Sequence, residues 1–366
     1  MTAEDQARVQ RELGLDYASQ ERWDDAILAL REAVRLAPGN VDSLYDLART
    51  LTSARRYKDG VDAYRELLRL VPDFPEAHLG LGFLLAELGF PEEAIPSFRE
   101  AIRLKPTAVT AYYNLGNALL ALGRYEDAVG AYQEAVRLDP LLGHAYSGLG
   151  ASYGLMGEWG QAERWHREAL RLNPQDAAVH SNLGVVLTEI GRLDEAEQAF
   201  RESLRLRPDD AQTLLRLGST LGERRQFDEA AQVFRQVLRI EEGNAAAHAR
   251  LGGALTLLRQ HQEAIEVGQK AVTLAADDPE AHYNLGIALS NAGRHADAIK
   301  AFGQAVRLRP NWVQPHLAMA EDFTALGRHP DAVSAFEKAL TLDPRSLDDP
   351  EEREIYERSV LKTRTK

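Results

Sequence analysis

The chain has 366 residues, no cysteine and a net charge of −13, from 56 acidic against 43 basic residues. This excludes a disulfide framework and thiolate metal sites, and it disfavours phosphate-rich partners, since nucleic acid needs a basic surface and an anionic membrane attracts cations. The opening stretch MTAEDQARVQ lacks a basic region followed by an apolar run, and the apolar stretch around Leu81 to Phe90 is too short to span a bilayer, so a cytoplasmic protein without membrane insertion is expected.

From Ala7 onward the chain repeats itself every 34 residues. The units are 7–40, 41–74, 75–108, 109–142, 143–176, 177–210, 211–244, 245–278, 279–312 and 313–346, ten in all without insertion or deletion. In the first unit Leu13 and Gly14 mark one helix, Ala26 marks a second, and Leu36 with Pro38 marks its end. The same columns return in every later unit. The end column reads Leu36, Leu70, Leu104, Leu138, Leu172, Leu206, Ile240, Leu274, Leu308 and Leu342.

The columns predict paired helices. Apolar places 4, 7 and 11 share one face of a first helix, and places 20, 24, 27 and 28 share one face of a second. Gly or Ala at places 8 and 20 lets the two approach closely. Gly at place 15 (Gly89, Gly123, Gly157, Gly191, Gly293, Gly327) suits the turn after a helix. Asn40, Asp176, Asp210, Asn244 and Asp278 are placed to cap the following helix. One pair cannot bury its apolar face alone, whereas stacked pairs can. Units 211–244 and 245–278 carry Glu242 and Ala276 where proline belongs, and Gly268 where the aromatic belongs. Residues 240–278 are therefore expected to be the softest joint. Asp349-Pro350-Glu351-Glu352 starts a short capping helix, expected to run to about Leu361 and to cover the last unit with Ile355 and Val360 before a loose tail, Lys362 to Lys366.

These columns resemble the tetratricopeptide repeat, W-x2-L-G-x2-Y, then A-x3-F, then P, over roughly residues 7–346. The first column departs from it, with Tyr112, Tyr146, His78, His180, His248, His282 or His316 in place of Trp. The resemblance implies an all-α solenoid, a superhelix of ten helix-turn-helix repeats with a C-terminal capping helix. It implies protein or peptide binding and does not identify the partner.

The candidate chemistry is sparse. Five histidines stand at place 4 and three more, His261, His295 and His329, at place 17. Equivalent places in successive repeats are about 10 Å apart, too far to share an ion, so these read as packing residues. Pairs such as Glu32 with Arg35, Glu66 with Arg69 and Glu202 with Arg205 read as solvated helix surface. Gly143, Gly148, Gly150 and Gly154 lack the phosphate-loop pattern and read as close packing or as a hollow in a binding surface. No enzyme activity and no cofactor is expected.

The resemblance further implies that places 2, 5, 6, 9, 12 and 13 of the first helices line a concave face. Place 6 reads Glu12, Asp46, Gly80, Asn114, Gly148, Asn182, Arg216, Arg250, Asn284 and Ala318, acidic first, then amide and basic. Tyr113, Tyr283 and Asn117 stand beside this row. Asn114, Asn182, Arg216, Arg250 and Asn284 are candidate contacts to the backbone or carboxylates of an extended segment. A chaperone-type carboxylate clamp is disfavoured, because its nearest start, Arg11, is followed by Leu15 rather than Asn. The alternative reading is an assembly module that acts through its ends or convex face as a homo-oligomer.

Overall fold

Every turn inside a helix pair needs one residue in the left-handed backbone region, where a Cβ is strained and glycine is at ease. Six of these residues are the expected glycines, with φ from +68° at Gly327 to +84° at Gly89. The other four are Glu21, Arg55, Arg225 and Arg259, with φ from +56° to +62°. The flanking helices set the turn, and the residue type at its apex follows or is strained.

The computed structural model describes residues 2–364, and among these every regular element is an α-helix. Two units are present, Met1–Val186 and Leu187–Lys366. The first holds α1 (Ala3–Ser19), α2 (Trp23–Leu36), α3 (Val41–Ser53), α4 (Tyr57–Leu70), α5 (Pro75–Glu87), α6 (Pro91–Leu104), α7 (Val109–Ala121), α8 (Tyr125–Leu138), α9 (Gly143–Leu155), α10 (Trp159–Leu172) and the start of α11 (Ala177–Glu189). The second holds α12 (Leu193–Leu206), α13 (Ala211–Glu223), α14 (Phe227–Ile240), α15 (Ala245–Leu257), α16 (His261–Leu274), α17 (Pro279–Asn291), α18 (His295–Leu308), α19 (Val313–Ala325), α20 (His329–Leu342) and α21 (Pro350–Arg364).

Each second helix of a pair ends on the aliphatic end column. The next residue turns extended, as a residue before proline does; Ala37 has ψ 77° and Val71 86°. Glu241 and Ala275 adopt the same geometry, ψ 83° and 73°, although no proline follows them. Their loops are tied by histidine, as are two of the loops that carry the proline. His248 Nε2 lies 3.0 Å from the Glu242 carbonyl and His282 Nε2 3.0 Å from that of Ala276. His78 and His180 reach Pro72 and Pro174 in the same way, at 2.7 and 2.9 Å. A carbonyl only accepts, so each ring carries its proton on Nε2. The expected caps form: Asn40, Asp176, Asp210, Asn244 and Asp278 accept backbone N–H groups at 2.8–3.2 Å.

Small residues at place 8 sit directly under the ring at place 24. A Cβ on Gly116 would lie 2.6 Å from Tyr132, and one on Gly218 2.5 Å from Phe234. The core of the first unit runs through Leu30, Leu44, Leu84, Phe98, Tyr132 and Leu149. Ala249, Ala271 and Ala281 form a small cluster with Val272 against it, and Leu251, Leu255 and Ile265 are also buried in this stretch.

Within each unit, successive first helices touch (α1 with α3, α7 with α9, α13 with α15, α17 with α19), whereas among the described residues no two second helices come as close. Long ion pairs bridge the second helices instead, such as Arg31–Asp59 at 2.9 Å and Arg235–Glu263 at 2.8 Å. A stack that is tighter on one side curves toward it. The first helices therefore line the concave face of each unit. The expected surface pairs along the second helices form at Glu32–Arg35, Glu100–Arg103, Glu134–Arg137, Glu168–Arg171 and Glu202–Arg205, at 2.6–2.8 Å, while Glu66 and Arg69 do not pair.

Asp349 caps α21 as expected, accepting from Glu351 N at 2.8 Å. Ile355 packs on the last pair, but its apolar companion is Tyr356, 5.7 Å edge-on from Phe336. Val360 is half-buried and stands outside that cluster. Ser359 is buried against the Thr324 hydroxyl at 3.2 Å. The helix continues through Arg364 rather than stopping near Leu361. The end of the expected tail, Thr365 and Lys366, lies outside the described residues.

Candidate interaction surfaces on the first helices

The candidate residues divide between the two units. Tyr113, Asn114 and Asn117 stand on α7 and Asn182 on α11; Arg216 stands on α13, Arg250 on α15, and Tyr283 with Asn284 on α17.

In the first unit the Tyr132 hydroxyl donates to Asn117 Oδ1 at 2.7 Å, and the Tyr132 ring lies 6.0 Å from that of Tyr113. Burial raises the Tyr132 phenol well above its usual range, so it stays a donor. The Asn117 carbonyl is thus engaged and its amide NH2 is left to offer. Asn114 and Asn182 are half-buried, and among the described residues no protein group bonds their side chains. The glycines in the same register have a packing cause. A Cβ on Gly148 would lie 2.5 Å from the Tyr132 ring, and Gly80 meets Tyr64 in the same way. Of the row's two acidic residues, Asp46 is neutralised internally, whereas Glu12 is exposed. Arg11 Nε bonds Asp46 at 2.6 Å and Arg11 Nη1 reaches Asp42 at 3.4 Å, with Asp46 only 8% exposed.

In the second unit neither Arg216 nor Arg250 is ion-paired among the described residues; Arg250 touches the Ser219 hydroxyl. Tyr283 is half-buried, with Phe302 at 5.6 Å and Trp312 at 4.7 Å. Tyr283 and Asn284 line a hollow of about 670 Å³ with Gly253, Leu257, Ile287 and Asn291. Sequence reasoning missed the last four, although they occupy inner-face places. Their register was legible, but whether neighbours leave space there was not.

Two polar groups elsewhere were also missed. Asp322 on α19 is 1% exposed; its Oδ1 accepts from Ser290 Oγ at 2.7 Å and His295 Nδ1 at 2.6 Å, and its Oδ2 has no partner. His166 takes the aromatic's place in α10, and burial pushes its pKa down to about 4. Among the described residues no group of three or more His, Asp or Glu is arranged to hold a metal ion, and no helix is long and apolar enough to cross a membrane.

A family model described as the cilia and flagella-associated protein 70 C-terminal domain, of tetratricopeptide type, matches residues 74–287, more than half of the 366 residues. Models of the tetratricopeptide repeat itself match 11–75, 45–89 and 279–312. The chain belongs to the tetratricopeptide-repeat family. No curated protein matches it. Among solved structures, this tetratricopeptide chain is similar to the APC/C hetero-tetramer Cut9-Hcn1, at 13% identity over 96% of each chain with a TM-score of 0.52. It is similar to pilF of Pseudomonas aeruginosa at 20% identity, over 57% of this chain and 94% of that one, with a TM-score of 0.51. These likenesses show the fold, an α-solenoid. YrrB, described as a tetratricopeptide protein with an unusual peptide-binding site, is 25% identical over 50% of this chain and 95% of its own, with a TM-score of 0.45.

Proposed function

We propose that this tetratricopeptide protein is a scaffold that binds an extended segment of a partner protein along the concave faces of its first helices. The observation that carries the reading is a row of uncommitted donors in one register. Asn114 and Asn182 in the first unit, and Arg216 and Asn284 in the second, are half-buried at the same place of their repeats, and among the described residues no protein group bonds their side chains. An amide side chain offers two donors and an acceptor, which suits a peptide backbone. Each such bond contributes about 1 kcal/mol net, whereas micromolar affinity needs about −8 kcal/mol. Apolar contacts must add to them, and Tyr113 and Tyr283 stand beside the row for that purpose.

The test is affinity capture from lysate with wild type beside a combined Asn182→Ala, Arg216→Ala, Arg250→Ala and Asn284→Ala variant. A partner kept by wild type and lost by the variant supports the concave faces. Equal retention moves the site elsewhere. Assembly through an end is then favoured by α1, where Val9, Leu13 and Leu15 are exposed although the place of Leu13 is buried or half-buried in the later repeats.

A further inference from the structure

Place 9 of the first helices changes character along the second unit: Ser219 on α13, Gly253 on α15, Ile287 on α17 and Glu321 on α19. Gly253 leaves a gap, since a Cβ built there meets nothing within 4 Å. The gap belongs to the 670 Å³ hollow, whose volume lies in the range of sites that enclose a bulky group. Its lining includes apolar groups from both α15 and α17, among polar ones. Leu257 is 62% exposed, and Ile287 and the Tyr283 ring stand opposite on α17. Tyr283 is braced by Phe302 and Trp312, so little rotamer freedom is lost when it contacts a guest.

The charge differs between the first helices to either side of the hollow. Toward α13 stand Arg250, one helical turn before Gly253, and Arg216 in the preceding repeat. Arg259 lines the hollow itself. Among the described residues none of the three has a carboxylate partner, in a chain of net charge −13. Toward α21 stands Glu321 on α19, whose carboxyl is raised above its usual range by burial first and then by the nearby Glu352, Asp322, Glu351 and Asp349. A carboxylate on a bound segment is attracted on the first side and repelled on the second.

Building on the scaffold reading, we propose that the hollow between α15 and α17 selects a segment that carries one bulky apolar residue and an acidic residue on its α13 side. One step between neighbouring first helices is about 10 Å, or about three residues of extended chain. The acidic residue is therefore about three positions from the apolar one. The apolar side chain enters between Tyr283 and Leu257, the carboxylate meets Arg250 and Arg216, and Asn284 and Asn291 face the backbone.

The experiment selects random dodecapeptides on the full chain, then measures the enriched peptide by fluorescence anisotropy. The expected enrichment is an acidic and an aromatic or aliphatic residue about three apart. Gly253→Leu, which fills the hollow, and Arg250→Ala should each weaken that peptide about tenfold or more, with helicity and melting unchanged. Lysine in place of the acidic residue should weaken it similarly. Enrichment of basic or purely polar peptides that bind through the concave residues, lost in the quadruple variant, overturns this specificity and leaves the scaffold reading standing. Peptides that bind the quadruple variant as well as wild type overturn both, and failure of wild type to enrich any sequence overturns the specificity.

Discussion

The Tyr132 hydroxyl reaches across its own helix pair to Asn117 Oδ1, and the same ring fills the space where the next repeat has Gly148. Where place 24 carries Tyr, at Tyr64 and Tyr132, place 6 of the next repeat is Gly80 or Gly148; where it carries Phe98, that place is Asn114. Gly148→Asn should therefore destabilise the protein by about 1–3 kcal/mol through overpacking. Adding Tyr132→Phe should recover part of that, with a coupling of at least about 0.5 kcal/mol. Urea denaturation of the four-member cycle measures it, and strict additivity would sink the steric account.

His166 is buried and its folded pKa is lowered to about 4, against an ordinary value of 6.5, because burial disfavours the charged ring. A lowered basic group is neutral in the folded chain while the unfolded chain takes up a proton. Its stabilising share is thus complete above about pH 6.5 and is lost as the pH falls toward 4, by roughly 3 kcal/mol in all. His166→Phe restores the ring found elsewhere at this place and should remove that loss. Relative to wild type, the variant should gain about 2 kcal/mol on going from pH 7.5 to pH 5. An unchanged difference between the two proteins at the two pH values would contradict the assignment.

Arg55 and Arg225 hold φ of +56° and +62° where six other repeats use glycine. Arg55→Gly and Arg225→Gly should each stabilise by about 0.5–1 kcal/mol, and Gly123→Ala should cost a similar amount. Thermal melting decides the sign.

Asp322 is a buried carboxylate whose bonds come from His295 and Ser290. His295→Leu should cost about 3 kcal/mol, because it leaves the carboxylate without its principal donor. A His295→Leu, Asp322→Leu double variant should be far less damaged. Equal loss in both would mean that packing volume, rather than the buried charge, sets the cost.

The helix ends were legible because proline, the aliphatic column and capping Asn or Asp act locally. Every second helix stops where the column stops, even at Ile240 and Leu274, where no proline follows. The left-handed turns at Arg55 and Arg225 were not legible, because arginine carries no turn signal; position in the repeat alone gives them away. The face of each candidate residue was legible from helical spacing. What its side chain meets was not: Asn117 is engaged by Tyr132 and Asp46 by Arg11, and both contacts join residues 15 or more apart in sequence. The hollow at Gly253 depends on what neighbours leave unfilled, which no column reports. The softness expected of residues 240–278 predicts that amide exchange is fastest there among the helical segments, although Leu251, Leu255 and Ile265 are buried within that stretch.

The central claim is that partners dock on the first helices. Its most direct measurement is backbone hydrogen exchange of the full chain with and without the partner that wild type captures. The account predicts slowed exchange concentrated on α7, α11, α13, α15 and α17, with α8, α14, α16 and α18 little changed. Protection confined to the second helices, or to α1 and α21, would contradict it.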